Sequence, residues 1–348
     1  MKSKLLIFIL TCCCMGLFAQ QMIVISPKET QKAEKLYNSG LEKFNKQSYD
    51  AAIKDLKESI KTNANLTEAY KLLAKAYQQN NQNEEALNTL QSYSNVISQK
   101  DTAYFLMSKL EMEIGKYQEA VSYADQALAV NNSDYKTYYV RGLANYLAEN
   151  YNAAVADFSN AINQNANVAQ LYNERASANR MNGNYEAAIA DYASAIQLNG
   201  NEPAYYNNMA SAQYENEQYD DAIYSYSQAL SLNDKYYSAY NNRGLAKIQM
   251  LDYEGAIEDF NACLSINPDL YQAYSNRGYA YYKLKEYDKA VADFTTAINK
   301  NNKYGEAYMH RGNTKEMMRN PEGACQDWAK AAELGVEKAQ EYINNQCK

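Results

Sequence analysis

At 348 residues, with 34 Lys+Arg against 41 Asp+Glu and a formal net charge of −7, the chain lacks the basic balance of a general nucleic-acid binder. Hydrophobic residues make up 47% of it, enough for a core, while 35 tyrosines, about a tenth of the chain, demand a structural reason. A single histidine, with no His/Cys cluster at metal-ligand spacing, no phosphate-cradling glycine loop and no nucleophile elbow, argues against an enzyme, a metal or a bound cofactor.

The first element is "MKSKLLIFILTCCCMGLFAQ", with Lys2 and Lys4, an apolar run from Leu5 to Phe18, and then Ala19. That order is the n-region, h-region and small-residue cleavage site of a secretory signal, and the run is too short for a membrane span. Residues 1–19 are therefore expected to be removed, and no transmembrane span follows them. Removal takes away two lysines and no acid, so the net charge goes from −7 to −9. Cys12, Cys13 and Cys14 raise a lipoprotein alternative, but "LTCCC" matches a Leu-Ala-Gly-Cys signal poorly. Simple export to the periplasm or cell envelope of a bacterium is the better reading. Residues 20–32 form a short lead segment.

From Ala33 onward the sequence repeats every 34 residues, nine times without an insertion: 33–66, 67–100, 101–134, 135–168, 169–202, 203–236, 237–270, 271–304 and 305–338. Position 20 of each row is always Ala, from Ala52 to Ala324, and position 8 is always Gly, Ala or Ser. Position 27 is small in every row but the second, where it is Tyr93. Small side chains at three such places let two antiparallel helices approach closely. Position 4 is Tyr in eight rows and position 17 is Tyr in seven, so fifteen tyrosines serve packing. Position 24 is mostly large: Phe158, Tyr192, Tyr226, Phe260, Phe294 and Trp328. Rows 2 and 3 fit least well, because Tyr93 and Ala124 exchange the usual small and large sites.

The period and these positions resemble the tetratricopeptide repeat (TPR) family over residues 33–338. The resemblance implies an all-α fold, a right-handed solenoid of nine helix-turn-helix repeats whose stacked neighbours share a continuous core. Helical spacing in "VEKAQEYINNQCK" predicts a C-terminal capping helix over 336–347. The closing segment "GACQDWAKAAELG" also resembles the last repeat of envelope proteins from Bacteroidetes-type bacteria.

Position 7 is Arg in five rows and position 23 is Asp in the same five. The pairs are Arg141 and Asp157, Arg175 and Asp191, Arg243 and Asp259, Arg277 and Asp293, and Arg311 and Asp327. Salt bridges inside each row explain this better than a ladder of arginines for an anionic ligand. Asp55 is the one position-23 Asp that has no Arg in its row, and it is expected to stand without a partner. Cys263 occupies the small position 27 and reads as a buried free thiol. Cys325 lies in the last second helix and Cys347 ends the capping helix that should fold back on it, so a disulfide between them is expected.

The resemblance further implies a concave face lined by the first helices at positions 2, 5, 6, 9, 12 and 13. Position 6 gives Asn208, Asn242 and Asn276, with Asn207 and Asn241 beside them, a ladder of amides able to bond an extended backbone. The same asparagines are also ordinary residues of the fold. Tyr139, Tyr146, Tyr214, Tyr279 and Tyr282 add aromatic contact area to this peptide-binding groove, and His310 reads as one of its plain polar residues. Residues 101–235 hold 17 acids against 7 bases, which favours a basic partner or marks a solvated outer face. Function reads as an exported, non-enzymatic adaptor that binds a protein or peptide partner along rows 4–9; a glycan-binding envelope protein using the groove tyrosines is the alternative.

Overall fold

The computed structural model describes residues 25–347, and the regular elements among them are all α-helices. The signal expected at residues 1–19, with its three cysteines, and residues 20–24 lie outside the described residues. Each row folds as two antiparallel helices. Rows 1 to 3 give α1 (Pro27–Asn45) and α2 (Tyr49–Thr62), α3 (Thr67–Gln79) and α4 (Asn83–Val96), and α5 (Asp101–Glu113) and α6 (Tyr117–Val130). Rows 4 to 6 give α7 (Tyr135–Leu147) and α8 (Tyr151–Gln164), α9 (Ala169–Met181) and α10 (Tyr185–Leu198), and α11 (Pro203–Glu215) and α12 (Tyr219–Leu232). Rows 7 to 9 give α13 (Tyr237–Gln249) and α14 (Tyr253–Ile266), α15 (Tyr271–Lys283) and α16 (Tyr287–Lys300), and α17 (Gly305–Met317) and α18 (Pro321–Glu333), followed by α19 (Glu337–Gln346).

Helix α1 begins six residues ahead of its row, so the lead segment beyond Ser26 is helix. Ser26 and Glu29 cap it reciprocally. The Glu29 N–H donates to Ser26 Oγ at 3.3 Å, the Ser26 N–H donates to Glu29 Oε2 at 2.9 Å, and Pro27 needs no partner for a missing N–H.

Two joints recur. Between the helices of a row, position 15 is left-handed in all nine, from Gln47 (φ 60°) to Arg319 (φ 60°), and only Gly115 and Gly183 are glycines. The N–H of position 16 then reaches the carbonyl of position 11, as from Ser48 to Lys43 and from Glu286 to Tyr281, both at 2.9 Å. This closure satisfies carbonyls at the helix end. Between rows, an Asn at position 31 turns the chain: its Oδ1 accepts the N–H two residues on in seven rows, at 2.9–3.4 Å. Row 2 has Ile97 there instead. Just past that joint the chain divides into two compact units, 1–103 and 104–348. In the first unit the large Tyr93 is buried beside Tyr70, ring centroids 6.2 Å apart. In the second, its counterpart Ala124 is fully buried.

Within a row the small position 8 lies directly beneath the large position 24. A Cβ on Gly142 would stand 2.7 Å from Phe158 Cε1, on Gly244 2.8 Å from Phe260 Cε1, and on Gly312 2.7 Å from Trp328 Cδ1. Where position 8 is Ser108, its hydroxyl donates to the Ala120 carbonyl across the helix pair at 2.7 Å.

The five arginines clamp this contact. Arg141, Arg175, Arg243, Arg277 and Arg311 each approach Asp157, Asp191, Asp259, Asp293 and Asp327 with two nitrogens, Nε and Nη2, at 2.6–3.1 Å. A third nitrogen, Nη1, reaches position 25 of the preceding row: Asp125, Ser159, Ser227, Asn261 and Thr295. Each guanidinium also lies over the position-4 ring of its own row, 5.5–5.8 Å from the centroid. One side chain thus ties three helices. Asp55, expected to lack a partner, has two: Lys43 Nζ and Ser39 Oγ donate to it at 2.5 and 2.6 Å. A Lys at position 11 replaces the Arg there, and in rows 7 and 9 Lys247 and Lys315 add to the clamp.

The last row is closed by α19, which buries Ala339 and stacks Tyr342 on Trp328, centroids 5.1 Å apart. A disulfide joins Cys325 to Cys347. Cys263 is a fully buried free thiol, its pKa pushed up to about 11 by burial.

Three outcomes follow from this packing. Arg277→Ala should cost about 3–5 kcal/mol, because Asp293 is left buried and unpaired, and Asp293→Ala should add little to it; denaturant unfolding of both single variants and the double variant measures the coupling. Lys285 is exposed in the left-handed position (φ 62°), so Lys285→Gly should raise stability by about 0.5–1 kcal/mol in the same assay. Reducing the disulfide, or Cys347→Ser, should lower stability by about 3 kcal/mol and leave helix content outside the last row unchanged by circular dichroism.

Candidate functional site

In the second unit, successive first helices touch one another, α7 with α9 and onward to α15 with α17, while the second helices stand farther apart. Such an array bends with its first helices inside. The inner face is therefore built from positions 2, 5, 6, 9, 12 and 13 of rows 4–9.

The asparagines do not stand there as a free ladder. Asn208 Nδ2 donates to Asn173 Oδ1 of the preceding row at 3.1 Å, and Asn276 Nδ2 donates to Asn241 Oδ1 at 3.0 Å. Asn241 in turn donates to Asn242 Oδ1 at 3.1 Å, and Asn207 donates at 3.5 Å to Asn208 Oδ1. Much of their bonding capacity is spent between repeats. Asn207 is also buried, not lining the face, and its Oδ1 has no partner. Asn242 differs: it lines a cavity of about 260 Å³ with Arg180, Ser211, Tyr214, Glu215, Tyr226 and Leu245.

That cavity comes from a coupled exchange at positions 9 and 24. Rows 4 and 7 pair Leu143 with Phe158 and Leu245 with Phe260. Rows 5 and 6 instead pair Ser177 with Tyr192 and Ser211 with Tyr226, hydroxyls 3.0 and 3.1 Å apart. A serine in place of leucine opens the face, and the tyrosine hydroxyl gives the opening a polar floor. Burial pushes the Tyr226 phenol up to about 12. Arg180 Nη1 bonds Glu215 Oε1 at 2.5 Å along the rim.

A second cavity, about 480 Å³, runs over rows 7–9 and shares Leu245 with the first. Asn276, Tyr279, Lys283, Tyr304, Glu306 and His310 are among the residues lining it. His310 is held between aromatic rings, stacked on Phe294 at 5.7 Å and edge-on to Tyr279 at 5.4 Å. Burial lowers its pKa, so it lines the cavity as a neutral ring where a plain polar residue was expected. Tyr304 donates to Glu306 at 2.9 Å, and Lys283 lies over the Tyr279 ring at 5.4 Å. Tyr282 packs on Tyr279 and Tyr287.

In row 4, Tyr139 is half-buried, 6.1 Å from Phe158, and accepts a hydrogen bond from Gln170 Nε2 at 2.6 Å; burial takes its phenol up to about 12. Tyr146 leans edge-on to Tyr151, as Tyr214 does to Tyr219, both at 5.5 Å. Sequence reasoning missed Glu174, Arg180, Glu215 and Glu306, although they occupy positions 6, 12, 13 and 2. Their positions were named, but the amide repeat drew attention away from charged residue types that each occur once at their position in rows 4–9. Among the described residues there is no group of His, Cys, Asp and Glu fit to hold a metal, and no helix long and apolar enough to cross a membrane.

Tetratricopeptide repeat models match residues 43–110, 105–162, 148–203, 237–270 and 271–304. Similar solved structures include the C-terminal part of a TPR repeat-containing protein from Cytophaga hutchinsonii, 18% identical, which spans 68% of this chain and 97% of its own at a TM-score of 0.56. A tetratricopeptide repeat protein from Parabacteroides merdae, also 18% identical, spans 72% and 99% at 0.52. The APC/C hetero-tetramer Cut9–Hcn1 gives 14% identity, 91% and 76% coverage, and 0.54. No curated protein matches this chain. With the models covering more than half of its length and the helix pairs repeating every 34 residues, the chain belongs to the tetratricopeptide repeat family.

Proposed function

We propose that this protein is an exported, non-enzymatic adaptor that holds an extended segment of a partner protein along the inner face of rows 4–9. One observation carries the reading. The two cavities share Leu245 among their lining residues, and between them they reach from α9 to α17 along one trough-like path, lined by tyrosines and by separate polar groups. An elongated trough with spaced donors and acceptors suits a chain that runs across repeats better than a compact small molecule. The rings are held by edge contacts and burial, so they can offer contact area with little loss of side-chain freedom on binding. The Cys325–Cys347 disulfide supports export, since such bonds persist outside the reducing cytosol. A cell-envelope location rests on the signal at residues 1–19 and on the likeness of the last row to Bacteroidetes-type envelope proteins.

Because Asn208 and Asn276 also join repeats, changing them would disturb the scaffold along with the face. Asn242 and Tyr214 are the cleaner probes. Affinity capture from a bacterial envelope extract, with the chain from residue 20 onward as bait, should retain a protein that Asn242→Ala and Tyr214→Ala each lose by about tenfold. Equal retention by all three baits would move the interface off the trough, and binding on a glycan array that both variants lose would replace the peptide with a sugar.

A further inference from the structure

Leu251 is the exception at the joint between the helices of a row. Position 15 is left-handed in all nine rows, and the other eight place Gln, Asn, Gly, Glu, Lys or Arg there. Row 7 alone puts an aliphatic side chain in that conformation, at φ 63°. Such a side chain is disfavoured in the left-handed region, where Gly and Asn are at ease. Burial within the chain does not offset this, because Leu251 is 69% exposed and Met250 before it 43%. The backbone does not call for a leucine either. The Leu251 N–H donates to the Ile248 carbonyl at 3.0 Å and the Asp252 N–H to the Lys247 carbonyl at 2.9 Å, the closure that Lys285 and Glu286 make at the same distances in row 8.

Its surroundings give the side chain a use. Leu251 lines the cavity of about 480 Å³ over rows 7–9, together with Leu245, Ile248, Tyr253 and Tyr279. Leu245, Tyr253 and Tyr279 pack against the buried Ile248 and Phe260, so these walls are anchored in the core while Leu251 stands in water. Leu245 also lines the neighbouring cavity, which makes this apolar lining continuous with the rest of the inner face. The charged groups of the lining are Lys283 and Glu306, one of each sign, and favour neither a cation nor an anion. What stabilises a leucine held out in this way is cover by apolar atoms, which removes both surfaces from water. A polar occupant would gain nothing from it.

We propose that Leu251 and the apolar lining beside it seat one large uncharged side chain of the partner segment, Leu, Ile, Met or Phe. The inference rests on the trough reading above and adds its specificity: an extended segment with an apolar anchor over rows 7 and 8.

Leu251→Asn tests the seat, because it gives the joint a residue suited to its conformation and removes the apolar surface. Its melting temperature should equal or exceed that of the parent, while binding falls about tenfold. Lys285→Asn, at the same place in row 8 but outside the cavity lining, should leave binding unchanged. The probe is a random dodecapeptide library selected on the chain from residue 20 onward. Selected peptides should carry Leu, Ile, Met or Phe at one fixed position, and alanine there should weaken binding about tenfold to the parent and hardly at all to Leu251→Asn. Selected peptides without an apolar position, or an apolar preference that survives Leu251→Asn, would overturn the seat and leave the trough standing. Self-association of the parent that Leu251→Asn abolishes, read by sedimentation, would overturn it in favour of a second copy of the chain. Recovery of no peptide, or of peptides indifferent to Asn242→Ala and Tyr214→Ala as well as to Leu251→Asn, would remove the trough reading and the seat with it.

Discussion

The close approach of two helices at position 8 of each row governs the rest of the structure. A backbone almost in contact with a ring, as Gly142 is with Phe158 and Gly312 with Trp328, leaves no room for a larger residue at position 8. The interior follows from that distance. Ala at position 20 is fully buried in every row, and the position-24 rings Phe158, Tyr192, Tyr226, Phe260, Phe294 and Trp328 are 0–2% exposed. Protein interiors pack like crystals, so in the five rows where position 8 is Gly one missing methyl group sets how closely the two helices approach. It also explains the tyrosine content, because rings at positions 4 and 17 cover the edges of a contact that small residues make thin.

The arginine clamp turns paired helices into stacked pairs. Its carboxylate partner sits on the second helix of the same row and its third nitrogen on the second helix of the row before, so the same charge that closes one repeat fixes its neighbour. Burying a charge is costly, and the fork geometry with the ring beneath it is what offsets the cost. Where the Arg is absent, Leu73 and Met107 fill position 7 as buried apolar residues, or a Lys at position 11 takes over the carboxylate, as at Asp55.

Much of this is legible in the primary structure because both partners of each key contact lie in one row at fixed offsets. Arg277 and Asp293 are 16 residues apart, as are Gly278 and Phe294, and both offsets recur. The asparagine bonds are harder to read. Asn208 reaches Asn173 and Asn276 reaches Asn241 over 35 residues, one more than the period, so the pairing crosses rows and no single row displays it. Asp55 was misread for a related reason: its partner is a Lys four positions from the place where the other rows keep Arg.

The repeats themselves therefore make a scaffold, and rows 5 and 6 depart from its pattern. Rows 5 and 6 give up a leucine for a serine at position 9 and repay the lost packing with a hydroxyl pair, Ser177 with Tyr192 and Ser211 with Tyr226. An unpaired hydroxyl there would be costly, so the two exchanges are favourable only together. The Ser211–Tyr226 pair lines a polar opening in the inner face. Rows 5 and 6 differ from rows 4 and 7 at positions 9 and 24 in complementary ways, a serine on the first helix meeting a buried tyrosine on the second.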